Sequence, residues 1–215
     1  MARVFSLQEN VFFKESAGSP KRRSMEVDMG NERPVKGKGM KGAGEEAIRF
    51  AAARTDLGWV LVAGTERGLC AIRLGDSREA VVGSFKARFG KAEHREGDPE
   101  SLRWLRGVTE SIASPRRGLR LPLDIRGTEF QRKVWRELQR IPVGATASYG
   151  EVARRIGMPG AARAVARACA SNPLPLAVPC HRVVRSDGGL GGYGGGVERK
   201  RALLEREAGS PFPGA

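Results

Sequence analysis

The sequence predicts a small α/β domain over residues 44–123 and a mainly helical domain over 124–215, behind a basic tail of residues 1–43. Three observations predict this. Composition changes near Gly44, two short apolar runs then flank a three-residue turn, and beyond Asp124 apolar residues recur at helical spacing behind capping sequences. With 215 residues the chain is long enough for one large or two small domains with a real core.

The tail comes first. "SAGSPKRRSMEVDMGNERPVKGKGMKGAG" mixes Gly, Pro and Lys/Arg with almost no apolar periodicity. Such a segment buries too little surface to offset its ordering entropy and reads as disordered. The start, "MARVFSLQENVFFKES", lacks a basic region followed by a long apolar stretch, so no signal peptide is expected. In the next segment "GWVLVAG" and "GLCAIRLG", separated by Thr65-Glu66-Arg67, read as a β-hairpin. Ala80, Val81, Phe85 and Phe89 then fall at helical spacing. Leu102, Leu105, Val108 and Ile112 repeat the pattern, and "GLRLPLDIRG" reads as extended.

In the second half Thr128 stands three residues before Gln131, a capping-box spacing. Phe130, Val134, Leu138 and Ile141 share one face beside Trp135, and Pro142 ends that helix. Ser148 and Glu151 form a second capping box opening a short helix through Ile156. Gly157-Met158-Pro159-Gly160 is a tight turn, and Ala161 to Ala170 forms the next helix. Two short helices across a four-residue glycine-containing turn have helix-turn-helix geometry, and Arg154, Arg155, Arg163 and Arg167 all fall on them.

Charge is uneven. The net +14 divides as +4 over residues 1–43, +2 over 44–119 and +8 over 120–215, the last with 16 basic and 8 acidic residues. A polyanion such as nucleic acid is the natural partner of that surface, with plain solubility as the alternative. No apolar run approaches the roughly 20 residues of a membrane span. The three cysteines, Cys70, Cys169 and Cys180, lack CxxC spacing, and with only His94 and His181 available no zinc site is expected. Free thiols suggest a reducing, cytoplasmic setting. Cys70 and Cys169 read as buried packing residues.

"PLAVPCHRVV" carries the chemistry. A thiol is a strong nucleophile only as thiolate, and an isolated cysteine of pKa about 8.5 is mostly protonated at neutral pH. A neighbouring imidazole can take the proton. In a regular strand Cys180 and His181 point to opposite sides, so their coupling needs a bend near Pro179 or a bridging water. The alternative is a buried cysteine beside a surface histidine. Asn172-Pro173 offers a rigid polar turn upstream. Downstream, "SDGGLGGYGGGVERK" is a glycine-rich loop around Tyr193 that lets backbone approach a flat ligand, though it matches no phosphate loop.

"VPCHRVV", preceded by "SNPLPLA" and followed by "GGLGGYGGGVERKRALLEREA", closely resembles the active-site segment of O6-alkylguanine-DNA alkyltransferases, the methylated-DNA–protein-cysteine methyltransferases. The resemblance is to the bacterial kind found at the C-terminal end of Ada. It continues through "GTEFQRKVW", "TASYGEVARRIG" and "AARAVARACASNP" and covers residues 46–209. It implies an RNase H-like arrangement of the N-terminal sheet and helices and a winged-helix-like form of the helix-turn-helix. The implied activity is direct-reversal DNA repair: one irreversible transfer of a methyl or other alkyl group from O6-alkylguanine, and from O4-alkylthymine, in duplex DNA to Cys180. It further implies no cofactor, no metal, no membrane partner and a monomer acting on double-stranded DNA with alkylated bases.

On the matching positions, Cys180 would be the acceptor, His181 the base acting through a water, and Glu207 the residue orienting it, while Asn172 would brace the turn. Tyr149 would donate to the flipped base, and Arg163 would fill the stack it leaves. Tyr193 would border the alkyl pocket with Val183 and Leu190 near it. Where some relatives carry a serine that helps hold the guanine oxygen, this chain has Gly194, so a backbone N–H must serve and more room is left. Two other classes remain open. A non-catalytic DNA-binding protein predicts no covalent change on exposure to alkylated DNA, and a thiol hydrolase predicts turnover.

Overall fold

The computed structural model describes residues 47–90 and 92–209, so the tail over 1–43 lies outside the described residues. Strands β1 (Ile48–Thr55), β2 (Gly58–Thr65) and β3 (Gly68–Gly75) form an antiparallel meander. The second hairpin is the one expected around Thr65–Arg67. β1 was not expected, because "IRFAAART" lacks a clear apolar alternation, and neither was β4 (His94–Glu96), which pairs with β1 in parallel. The sheet order is β3-β2-β1-β4.

β2 is apolar on both faces because both are covered. Leu61 and Ala63 pack with Val81 and Phe85 of α1 (Arg78–Phe89), while Val60 and Val62 pack with Trp104 and Val108 of α2 (Pro99–Ala113). Leu102, expected on the buried face of α2, is 50% exposed, and the buried stripe is Ser101, Trp104, Leu105, Val108 and Ile112. Asp98 caps the helix through its side chain, accepting from Glu100 and Ser101. The face packed on the sheet is centred on Trp104, Leu105, Val108 and Ile112, and Leu102 lies about 100° round the helix from the Ser101 position. A 3-10 turn over Pro115–Arg117 follows, and "GLRLPLDIRG" runs on to a single bridge in which Leu69 N–H donates to Pro122 and Asp124 N–H donates to Leu69.

Helix α3 (Glu129–Gln139) opens with the expected capping box of Thr128 and Gln131. Its Trp135 donates from Nε1 to the Ala168 carbonyl at 2.9 Å and so fixes α3 against α5. Strand β5 (Ala147–Ser148) leads into α4 (Tyr149–Arg155), capped by the Ser148–Glu151 box, and α5 (Ala162–Ala170) follows across the turn. Arg154, Arg155, Arg163 and Arg167 are exposed on this helix pair. β5 pairs in parallel with β6 (Val183–Val184), and α6 (Val197–Ala208) completes the described chain.

A single apolar cluster runs from Val60, Val62 and Trp104 through Val134 and Trp135 to Val165, Val178, Cys180 and Leu203. Polar contacts cross the same junction. Ile72 N–H and Arg73 both donate to the Pro173 carbonyl, and Arg199 of α6 donates to Leu57. The cysteine segment is therefore gripped from both sides. Among the described residues no helix is long and apolar enough to cross a membrane.

Candidate active site

Pro179, at φ −77° and ψ 63°, is the centre of an inverse γ-turn in which Cys180 N–H donates to the Val178 carbonyl at 2.7 Å. A 3-10 turn over Cys180–Arg182 follows at once, so Cys180 is not on an extended segment. The proline's fixed φ makes the bend. Neighbours in a 3-10 turn diverge by about 120°, not the 180° of a strand, and both Cys180 and His181 point inward and are buried. No hydrogen bond links them.

Asn172 braces this turn. Its Nδ2 donates to the Val178 carbonyl at 2.8 Å and to Cys180 Sγ at 3.1 Å, while its Oδ1 accepts from Leu174 N–H at 2.9 Å. The segment returns to Pro179 through Leu176, whose φ of 76° is in the left-handed region that a branched side chain rarely occupies. Burial pushes the Cys180 thiol up. The Asn172 hydrogen bond and the Lys200 ammonium pull the other way, both favouring thiolate.

His181 Nε2 lies 2.8 Å from Glu207 Oε1. Arg182 donates to the same carboxylate from Nε and Nη2, and its Nη1 reaches the Ile141 carbonyl at 2.5 Å. Burial holds the His181 ring below its ordinary pKa, against the pull of Glu207. Glu207 is brought down to about 2, because hydrogen bonds from His181 and Arg182 outweigh its burial. At neutral pH the pair is thus a neutral imidazole beside an ionised carboxylate anchored by Arg182. A carboxylate only accepts, so the ring proton is assigned to Nε2, and Nδ1 carries the lone pair. Nδ1 is buried without a partner. The site therefore holds a base with its free lone pair enclosed, next to a buried thiol.

Two tyrosines flank the thiol. Tyr193 meets the His181 ring edge-on, at 6.5 Å between centroids, and its buried hydroxyl has no partner. Tyr149 starts α4, and a Cβ on Gly191 would sit 3.0 Å from its hydroxyl, so the loop passes directly over it. Burial raises both phenols, with the nearby Cys180 thiol adding to each. Gly194 is exposed, with nothing within 4 Å of a Cβ placed there. Val183 is buried in the same cluster as Cys180, whereas Leu190 packs in a separate cluster with Val184 and Leu204. Arg163 is exposed near the start of α5. Cys70 is buried as expected, but Cys169 is only half-buried, with its thiol pushed up to about 12 by desolvation.

Two residues escaped the sequence reading. Arg182, described above, gave no signal beyond its place next to His181. Lys200 is fully buried and donates from Nζ to the carbonyls of Val183 and Leu190, which ties β6 to the glycine-rich loop. It had a usable signal: Lys200, Leu203, Leu204 and Glu207 lie at i, i+3, i+4 and i+7, one stripe of α6.

Residues 129–209 match the model of the 6-O-methylguanine DNA methyltransferase, DNA binding domain. A methylated-DNA–protein-cysteine methyltransferase of Mycolicibacterium paratuberculosis is 50% identical over 117 residues, 53% of this chain and 71% of that protein. This chain belongs to the methylated-DNA–protein-cysteine methyltransferase family. Within that family it is 49% identical over 162 residues, 75% of this chain, to the bifunctional transcriptional activator/DNA repair enzyme Ada of Escherichia coli. It spans about half the length of the Ada relatives it matches, 46% in Escherichia coli and 48% in Salmonella typhimurium. The crystal structure of Mycobacterium tuberculosis OGT in complex with DNA superposes with a TM-score of 0.64 at 37% identity, covering 76% of this chain and 95% of that one. The methyltransferase fold thus extends beyond the 129–209 match to the N-terminal sheet.

Proposed function

We propose that this methyltransferase-family chain repairs DNA directly, by moving a methyl or other alkyl group from O6-alkylguanine, and from O4-alkylthymine, onto Cys180 in one irreversible turnover. The observation that carries the reading is the enclosed Nδ1 lone pair of His181, held by Glu207 and Arg182 beside the thiol that Asn172 braces. In the step itself the thiol proton passes through a water to Nδ1. Sγ bonds to the alkyl carbon, the carbon–O6 bond breaks, and the proton held on His181 passes back through water to the departing guanine, so the thiol's proton ends on the base. The resulting thioether has no leaving group that water can displace, so the protein is consumed.

The target oxygen is hidden in the base stack, so the nucleotide has to leave it. The exposed arginines of α4 and α5 support a helix-turn-helix, winged-helix-like, docked on the duplex, with Arg163 occupying the vacated stack. Tyr149 contacts the flipped base, and Tyr193 borders the alkyl group, backed by Val183 and, from behind, by Leu190. A backbone N–H at Gly194 serves where relatives use serine, and the open space there suits larger adducts. The N-terminal part, 44–123, acts as an RNase H-like scaffold for the 124–215 acceptor domain, in a monomeric cytoplasmic protein.

The test is mass spectrometry after mixing with a duplex containing O6-methylguanine. One methyl on the Cys180 peptide, a plateau at one equivalent and no transfer by Cys180→Ser are expected. Turnover, or label on Cys169, would overturn the reading.

A further inference from the structure

A cavity of about 340 Å³ opens between the turn after α2 and the C-terminal end of α3. No residue of α4 or α5 lines it, so it is separate from the surface proposed above for DNA. Its back wall includes His181 and Glu207, and its rim carries Arg116, Arg117, Arg120 and Arg140, with Arg182 inside. Arg182 is held by Glu207, and Arg140 pairs with Glu137 at 3.1 Å. Arg116, Arg117 and Arg120 are exposed and have no acidic partner among the described residues. Those three guanidinium groups, with Arg140 and Arg182 balanced by Glu137 and Glu207, thus face a concave site, a shape that concentrates positive potential. Guanidinium forks match tetrahedral oxyanions in geometry. At about 30 Å³ per water the volume holds roughly ten waters, enough for a hydrated phosphate.

We propose that this cavity binds a phosphate-type oxyanion and that its occupant accelerates alkyl transfer through the pair behind it; the second clause rests on Cys180 being the acceptor. The direction follows from charge. An anion at the rim stabilises the imidazolium that forms when Nδ1 takes the thiol proton. By drawing on Arg182 it also leaves more of the Glu207 charge for His181. Both effects act in the same sense.

The probe is inorganic phosphate, titrated calorimetrically into the full chain at fixed ionic strength against chloride. Saturable binding is expected. It should be lost in R116Q/R117Q/R120Q and kept in R163Q/R167Q. Retention of phosphate after saturation with undamaged duplex supports a free anion as occupant; displacement supports a DNA backbone phosphate in the same site. Transfer from free O6-methylguanine base should rise several-fold and saturably with phosphate, and the triple variant should keep its phosphate-free rate. Absent or unsaturable binding, or binding unchanged in the triple variant, overturns the site. Binding without acceleration overturns the coupling. Binding with no transfer under any condition overturns the acceptor reading instead.

Discussion

Replacing Glu207 by Gln tests whether an ionised carboxylate organises the site. Its carboxyl is held at about 2, against an ordinary value of 4.5. A difference of that size corresponds to about 3 kcal/mol of preference for the ionised form in the folded protein. The structure accounts for it: Arg182 donates to Oε1 at 2.9 Å and to Oε2 at 2.9 Å, and His181 Nε2 adds a contact at 2.8 Å. Because the folded value is depressed, the contribution is fully present above pH 4.5 and is lost as pH falls through about 2. Glutamine keeps an oxygen for His181 but turns an amide toward Arg182, leaving a partly buried guanidinium without its counter-charge. Removing one partner of a buried pair costs roughly 3–5 kcal/mol, and the Ile141 carbonyl still held by Arg182 places this case at about 3 kcal/mol. Urea unfolding of both proteins at pH 7, 5 and 3 reads the gap. The carboxyl's share of it should be about 3 kcal/mol at pH 7 and 5 and about 1 kcal/mol at pH 3. His181 also loses stability below its ordinary 6.5, since the unfolded ring protonates first. Because Glu207 pulls that ring upward, the loss is larger in the variant, and the gap at pH 7, where both rings are neutral, isolates the carboxyl. A gap that is independent of pH, or below about 1 kcal/mol at neutral pH, would refute the anchoring argument.

Arg163→Ala should slow transfer from duplex DNA far more than from the free base, because stabilising an extruded nucleotide matters only in a paired stack; equal losses in single-turnover assays would exclude that role. Asn172→Ala removes a donor to Sγ and the brace on Val178, so it should lower both the transfer rate and stability, the latter by about 1–3 kcal/mol in urea. A Cβ on Gly68, at φ 129°, would sit 2.4 Å from the Pro122 carbonyl oxygen; Gly68→Ala should therefore cost more than about 1 kcal/mol and lower Tm by several degrees, and an unchanged melting curve would show that the bridge to Leu123 can shift. Gly194→Ser meets no atom within 4 Å and should leave stability within about 0.5 kcal/mol of the parent in the same unfolding assay.

What the sequence determined by itself was what lies within a few residues along the chain. Both capping boxes, Thr128–Gln131 and Ser148–Glu151, close as their spacing requires, because donor and acceptor are one helical turn apart. Helices α1 to α5 and the hairpin at Thr65–Arg67 follow from local spacing for the same reason, whereas α6 was not expected although its stripe is present. Cys180 and His181 stand out by adjacency, and Pro179 marks the bend between strand-like neighbours that their coupling requires; the γ-turn and 3-10 turn that make the bend have no periodic signature. Glu207 came from resemblance to a known family, not from any pattern. The rest depended on contacts between distant segments. β4 is three residues long and exists because β1 offers an edge; Leu102 is exposed because packing of Trp104 and Val108 on Val60 and Val62 decides which face of α2 is buried. Lys200 lies on a legible stripe of α6, yet only the fold supplies the Val183 and Leu190 carbonyls that make a buried ammonium tolerable. The His181–Glu207–Arg182 cluster brings together residues 26 and 25 positions apart, and its protonation states come from burial and long-range hydrogen bonds. A sequence carries spacing; desolvation and closure of such distances exist only once the chain has packed.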